Sequence, residues 1–176
     1  MKKRLFFSLL TLLLLLSIST YAQNDFESYQ NDKYGFRIDY PGNWELKEDS
    51  FDSVISIISE REDENDNVSE NINVVVQDLS TQPMSLKEYT ELSIDQINNV
   101  IENGEVLENE FITFAENEGV KIIYKGELED LKLKWLVKYL IKNNKAYLVT
   151  YTAAEDKFDK YLPTVEKMYD SFQLIK

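Results

Sequence analysis

Leu131-Lys132-Leu133-Lys134-Trp135-Leu136-Val137-Lys138-Tyr139-Leu140-Ile141-Lys142 is followed by Asn143-Asn144-Lys145 and then by Ala146-Tyr147-Leu148-Val149-Thr150-Tyr151-Thr152-Ala153. Leu131, Leu133, Trp135, Val137, Tyr139 and Ile141 occupy every second position, with Lys132, Lys134, Lys138 and Lys142 between them. A period of two is the mark of a β-strand. The Asn-Asn pair then reads as a hairpin turn, because asparagine tolerates positive φ. Two long strands joined by a turn this short must be antiparallel, since parallel strands need a long crossover.

The segments on the N-terminal side extend the same sheet. Glu105 to Phe114 alternates loosely, Glu116-Asn117-Glu118-Gly119 reads as a turn, and Val120 to Leu128 as a strand. Further back, Phe36, Ile38 and Tyr40 alternate with charged residues, and Pro41-Gly42 suits the central pair of a type II turn. Trp44 and Leu46 open another short strand. Ser53 to Ser59 and Ile72 to Leu79 are rich in β-branched residues and read as strands. The polar run between them, residues 60 to 71, predicts an exposed hairpin loop with nothing to bury.

Two helices interrupt the strands. Ser85 and Glu88 form a capping box, and Met84 and Tyr89 sit at the positions of a hydrophobic staple. Helical spacing of apolar residues then predicts a helix over about 86–102, with Gly104 as its stop. Phe158, Tyr161, Leu162, Val165, Met168, Tyr169 and Phe172 give a second apolar stripe. Pro163 within it predicts either a kink or a short turn over 155–161 with Pro163 opening the main helix. Residues 173–176 read as an extended end. The fold class is therefore α+β: a mainly antiparallel sheet with helices packed on it, in one domain.

The chain begins Met1-Lys2-Lys3-Arg4, followed by an apolar run from Leu5 to Leu16 and the small residues Thr20 and Ala22. This is the pattern of an export signal, with cleavage expected after Ala22. The apolar run is shorter than the roughly 20 residues that span a bilayer, so no membrane anchor is expected after cleavage. The expected organisation is residues 1–22 as signal peptide, 23–32 as a polar leader and 33–176 as the folded domain. Export implies a periplasmic or secreted protein, soluble after cleavage.

Composition excludes several functions. The chain has 32 acidic and 19 basic residues, a formal net charge of −13, and loses Lys2, Lys3 and Arg4 with the signal. Nucleic-acid binding needs the opposite balance. There is no cysteine and no histidine. Disulfides, thiolate metal sites and the Ser-His-Asp and Cys-His constellations are therefore impossible. The five glycines form no phosphate-cradling loop.

Two weak-affinity possibilities remain. Asp63, Asn65 and Asn67 have the 1, 3, 5 spacing of a calcium loop. Position six is Val68 instead of glycine and position twelve Val74 instead of glutamate, so a solvated loop is the simpler reading. No cofactor is expected, calcium being the one candidate. Lys132, Lys134, Lys138 and Lys142 form a basic stripe that reads as the solvent face of a strand, or alternatively as a docking stripe for an acidic partner or carbohydrate. A carboxylate pair for glycoside hydrolysis has no specific signal in so acidic a chain.

Tyr34-Gly35-Phe36-Arg37-Ile38-Asp39-Tyr40-Pro41-Gly42-Asn43-Trp44 resembles the opening signature of PsbP-like domains, and Thr150-Tyr151-Thr152-Ala153-Ala154-Glu155 leading to Phe158, Tyr161 and Ser171-Phe172 is similar to the closing helix of that family. The resemblance covers nearly the whole chain after the signal. It implies an α/β/α sandwich around an antiparallel sheet. It also implies an accessory role, since photosynthetic members are extrinsic photosystem II subunits that help retain calcium and chloride. The expected function is an exported, non-catalytic accessory or binding protein that docks to a protein or envelope assembly. The alternatives are a divalent-cation binder and a carboxylate-dependent hydrolase.

Overall fold

The computed structural model describes residues 26–50, 52–64 and 66–175. The signal segment, the cleavage position at Ala22 and Asn65 lie outside them. Ten strands and two helices follow in the order β1 (Phe26–Asn31), β2 (Phe36–Pro41), β3 (Glu45–Ser50), β4 (Ser53–Ile58), β5 (Asn71–Asp78), α1 (Leu86–Val100), β6 (Glu102–Phe114), β7 (Asn117–Leu128), β8 (Leu131–Lys142), β9 (Lys145–Ala154), α2 (Phe158–Ser171) and β10 (Gln173–Leu174). They form a seven-stranded sheet, ordered β3-β4-β5-β9-β8-β7-β6, and a three-stranded sheet, ordered β1-β2-β10. Every pairing is antiparallel. The fold is α+β, as the strand periodicity predicts.

The meander β6-β7-β8-β9 rests on three two-residue turns. Ala115-Glu116, Glu129-Asp130 and Asn143-Asn144 all have positive φ at both positions. That is the hand of turn which matches the twist of the strands it joins. Only the Asn-Asn pair is legible from residue type. The β6–β7 turn falls at Ala115-Glu116, not at 116–119 as the sequence suggests. Likewise, Trp44 N–H donates to Pro41 O at 2.9 Å, so the turn after β2 centres on Gly42-Asn43 without a positive φ.

The large sheet is covered on both faces. Tyr147, Val149, Tyr151 and Ala153 of β9 point to one side and pack with Leu136 and Leu140 of β8 against Phe158, Val165, Met168 and Tyr169 of α2. Phe36 and Ile38 of β2 join this core. On the other face Tyr89 and Ile97 of α1 pack on Val120, Ile122, Val137, Tyr139 and Ala146. Tyr139 donates to Thr90 Oγ1 at 2.7 Å, fixing α1 to the middle of the sheet. The capping box is present as the sequence predicts: Ser85 Oγ accepts from the Glu88 N–H, and the Glu88 carboxylate accepts from the Ser85 N–H. The helix ends at Val100 rather than 102.

Four expectations are corrected. The segment read as a polar leader contains β1, paired with β2 from Phe26↔Pro41 to Asn31↔Phe36. Its residues lack a clean period because β1 is largely exposed, and β2 supplies the register. Of the two alternatives at Pro163, the short turn over 155–161 with Pro163 opening the main helix is not found: α2 runs continuously from Phe158 to Ser171 with Pro163 inside it. The expected extended end folds as β10 on β2. The polar loop between β4 and β5 does bury groups: Asp66 and Glu70 are both inside the surface.

The two stretches that carry the family resemblance meet in space. Phe36 stacks on Phe172 with ring centroids 5.7 Å apart, and Phe172 stacks on Phe114 at 5.2 Å. The Asp39 N–H donates to Ser171 Oγ at 2.9 Å. Gly35 takes φ of 73°, and its carbonyl accepts from Ile175 N–H at 2.9 Å, so the start and the end of the fold are tied by backbone bonds. These motifs are architectural, which is why they report fold.

Candidate functional site

The loop joining β4 to β5 folds around Asp66. Its Oδ2 accepts from the Glu62 N–H at 3.0 Å and its Oδ1 from the Val68 N–H at 3.4 Å. Lys157, just before α2, reaches Oδ1 at 2.7 Å. Lys160 and the Tyr161 hydroxyl both bind Glu62 Oε1 at 2.7 Å. Hydrogen bonding from Lys157, then from the loop amides, holds the Asp66 carboxyl below its usual range, and the same pair raises the Lys157 ammonium. The Glu62 carboxyl is lowered by its bonds to Lys160 and Tyr161.

Glu70 lies deeper, with no exposed surface. One oxygen accepts from Ser59 Oγ at 3.3 Å, and Oε1 has no hydrogen-bond partner. Burial raises its pKa, opposed in part by its own backbone N–H and by Lys157. Glu70 in turn adds to the burial that raises the hydroxyls of Tyr151 and Tyr161.

This geometry places the residues singled out for calcium. Asp63 and Asn67 are exposed near a shallow depression lined by Glu62, Asp66 and Lys157, and Asn65 lies outside the described residues. Lys157 already supplies the cation that Asp66 binds. Among the described residues no group of three acidic side chains is arranged to hold a metal ion.

The lysine stripe is also placed. Lys134 and Lys138 share a face of β8 with Leu136 and Leu140, and that face is covered by α2 rather than solvent. Lys138 binds Glu166 at 2.6 Å and sits 4.4 Å from the Tyr169 ring centroid. Lys134 lies 4.2 Å from the Phe158 centroid. Each ammonium lies over an aromatic face, within cation–π reach. Lys132, near the end of β8, is exposed. The stripe is thus not a continuous solvent face, and α2 takes its central pair.

The opposite face of the sheet offers an open groove of about 380 Å³ beside α1, lined by Gln96, Val100, Ile122, Tyr124, Leu148 and Thr150 among others. Tyr124 stacks on Trp135 at 4.9 Å along its margin, and burial pushes its hydroxyl up to about 12. Val100 at the groove's edge is 78% exposed. Large apolar side chains are exposed at Leu92 and Val100 of α1, Leu107 and Phe111 of β6 and Leu128 of β7; among the described residues only Phe26 is a comparable case elsewhere. Leu107 and Phe111 share β6, whereas Leu128 ends β7, well along that strand from Val120, the residue opposite Phe111. Sequence periodicity missed Leu107 and Phe111, because an apolar residue on an edge strand reads like one in a core strand.

The PsbP family model matches residues 24–174. Cyanobacterial PsbP (CyanoP) from Synechocystis sp. PCC 6803 has a similar fold, with a TM-score of 0.62 at 16% identity over 91% of this chain and 98% of that one. LpqN of Mycobacterium tuberculosis, a protein involved in cell envelope biogenesis, has a TM-score of 0.61 at 10% identity over 87% of this chain and 93% of that one. No curated protein matches in sequence. At these identities the structural likenesses report the fold.

Proposed function

This chain belongs to the PsbP family, and we propose that it works as an exported, non-catalytic accessory protein that docks to a protein or envelope assembly. The observation that carries the reading is the exposure of two large apolar side chains, Leu107 and Phe111, on β6, the terminal strand of the large sheet. Large apolar side chains exposed along an edge strand, beside its unpaired backbone groups, mark an interaction surface. The charged cluster around Asp66 supports a structural role for that loop instead, since Lys157, Lys160 and Tyr161 bind its carboxylates.

Export is supported by the basic, apolar and small-residue succession of residues 1–22. Among the described residues no helix is long and apolar enough to cross a membrane. The envelope setting is also in keeping with the stated involvement of LpqN in envelope biogenesis. Crosslinking in the native host, followed by mass spectrometry, tests the proposal. A specific partner enriched above abundant bystanders is the expected result, and bystanders alone would contradict it.

A further inference from the structure

The large sheet ends in β6, which pairs with β7 on one side and, among the described residues, with no strand on the other. Along an open edge every second residue turns its N–H and C=O outward, a ready template for another strand. The two edges of this sheet differ. β3 has six residues and runs into a tight return with positive φ at Asp49 and Asp52. β6 has 13 residues.

Edges are ordinarily protected by proline, bulges or charge. β6 has no proline. Its irregularities lie between Glu102 and Glu105 and between Val106 and Glu108, so its pairing with β7 is unbroken from Glu108 to Phe114. In that regular half Phe111 lies across from the buried Val120 and is itself 65% exposed. A large ring beside open backbone groups is the reverse of edge protection.

Charge specifies the occupant. β6 carries Glu102, Glu105, Glu108 and Glu110 and no basic residue. Lys121 of β7 binds Glu108 and Glu110, each at 2.8 Å, and Lys125 binds Glu105 at 3.1 Å, holding the carboxylates along the edge. A second copy pairing through β6 would bring glutamates together in a chain of net charge −13, and like charges across strands are unfavourable. We infer that the Glu108–Phe114 half of β6 takes up an extended, lysine- or arginine-bearing segment of another protein as an added strand, with Phe111 as the apolar anchor. Backbone bonds supply affinity in this mode, and alternate side chains supply selectivity. The inference rests on the docking proposal and names its surface and partner chemistry.

The test uses a display library of short linear peptides panned on the intact protein. Enriched sequences should alternate Lys or Arg with apolar residues. Their binding should weaken about tenfold or more with Phe111→Glu, as for an interface anchor, and stay unchanged with Lys47→Glu on β3. N-methylation of alternate peptide amides should abolish binding without touching the protein, and hydrogen exchange should slow over residues 108–114. Peptides that are acidic, that tolerate N-methylation or that protect another surface would overturn the edge assignment, and a salt-stable dimer through β6 would do the same. Binding mapped to another surface leaves the docking proposal standing. An empty selection removes the edge assignment alone, since capture in the host decides the docking proposal separately.

Discussion

Glu70 is a carboxylate buried with one oxygen unpartnered, whereas Asp66, the other buried acid among the described residues, has three donors. The two should respond to pH in opposite ways. Glu70 has a raised folded pKa, so the folded state resists its ionisation. Glu70→Gln should stabilise the protein by about 1 kcal/mol at pH 7, the scale of an unsatisfied buried acceptor. The gain should vanish below about pH 4, where Glu70 is protonated in both states. Asp66 has a lowered folded pKa, so its contribution is present above the ordinary Asp value of about 3.9 and lost as pH falls through the folded value. Asp66→Asn should lower the thermal midpoint by several degrees at pH 7, with the difference closing in acid. Melting curves for both variants from pH 3 to pH 8 check this. Neither residue was legible as buried. Both lie in a run of acids and asparagines, and their partners come from outside it: Lys157, remote in sequence, binds Asp66, and Ser59 bonds Glu70.

At the scale of elements, the capping box was legible because its partners are three residues apart. Ser85→Ala should cost about 1 kcal/mol, measured by chemical denaturation. Glu129-Asp130 was not legible as a tight turn, since Asp tolerates positive φ but Glu at the first position does not. Glu129→Gly should therefore stabilise the protein by about 1 kcal/mol, by removing the left-handed strain on a residue with a Cβ. An unchanged or lower midpoint would contradict that. The alternation in β8 showed that lysines and aromatics point to opposite faces. It did not show that both faces are covered, because α2, which covers the lysine face, arrives later in the chain. Lys138→Met should thus reduce stability by about 1 kcal/mol through loss of Glu166 and of the ammonium near Tyr169, and leave partner capture unchanged.

For the molecule as a whole, the order of elements from β2 to α2 could be read from periodicity and turn chemistry, β1 and β10 could not, and the antiparallel sheet followed from the short connections. The meeting of Phe36, Phe114 and Phe172 could not, because it joins segments from the two ends of the chain. Net charge of −13 sets up self-repulsion in the compact state. Raising sodium chloride from about 0.01 M to about 0.5 M, which shortens the screening length several-fold, should raise the thermal midpoint, and a fall would show that internal ion pairs outweigh the repulsion. Docking through the exposed apolar residues of β6 is examined most directly by site-resolved crosslinking. A photoreactive phenylalanine analogue at position 111 of β6 should capture a specific partner in the native host, whereas the same group at position 47 of β3 should not. Equal capture at both positions, or none at position 111, would contradict the account.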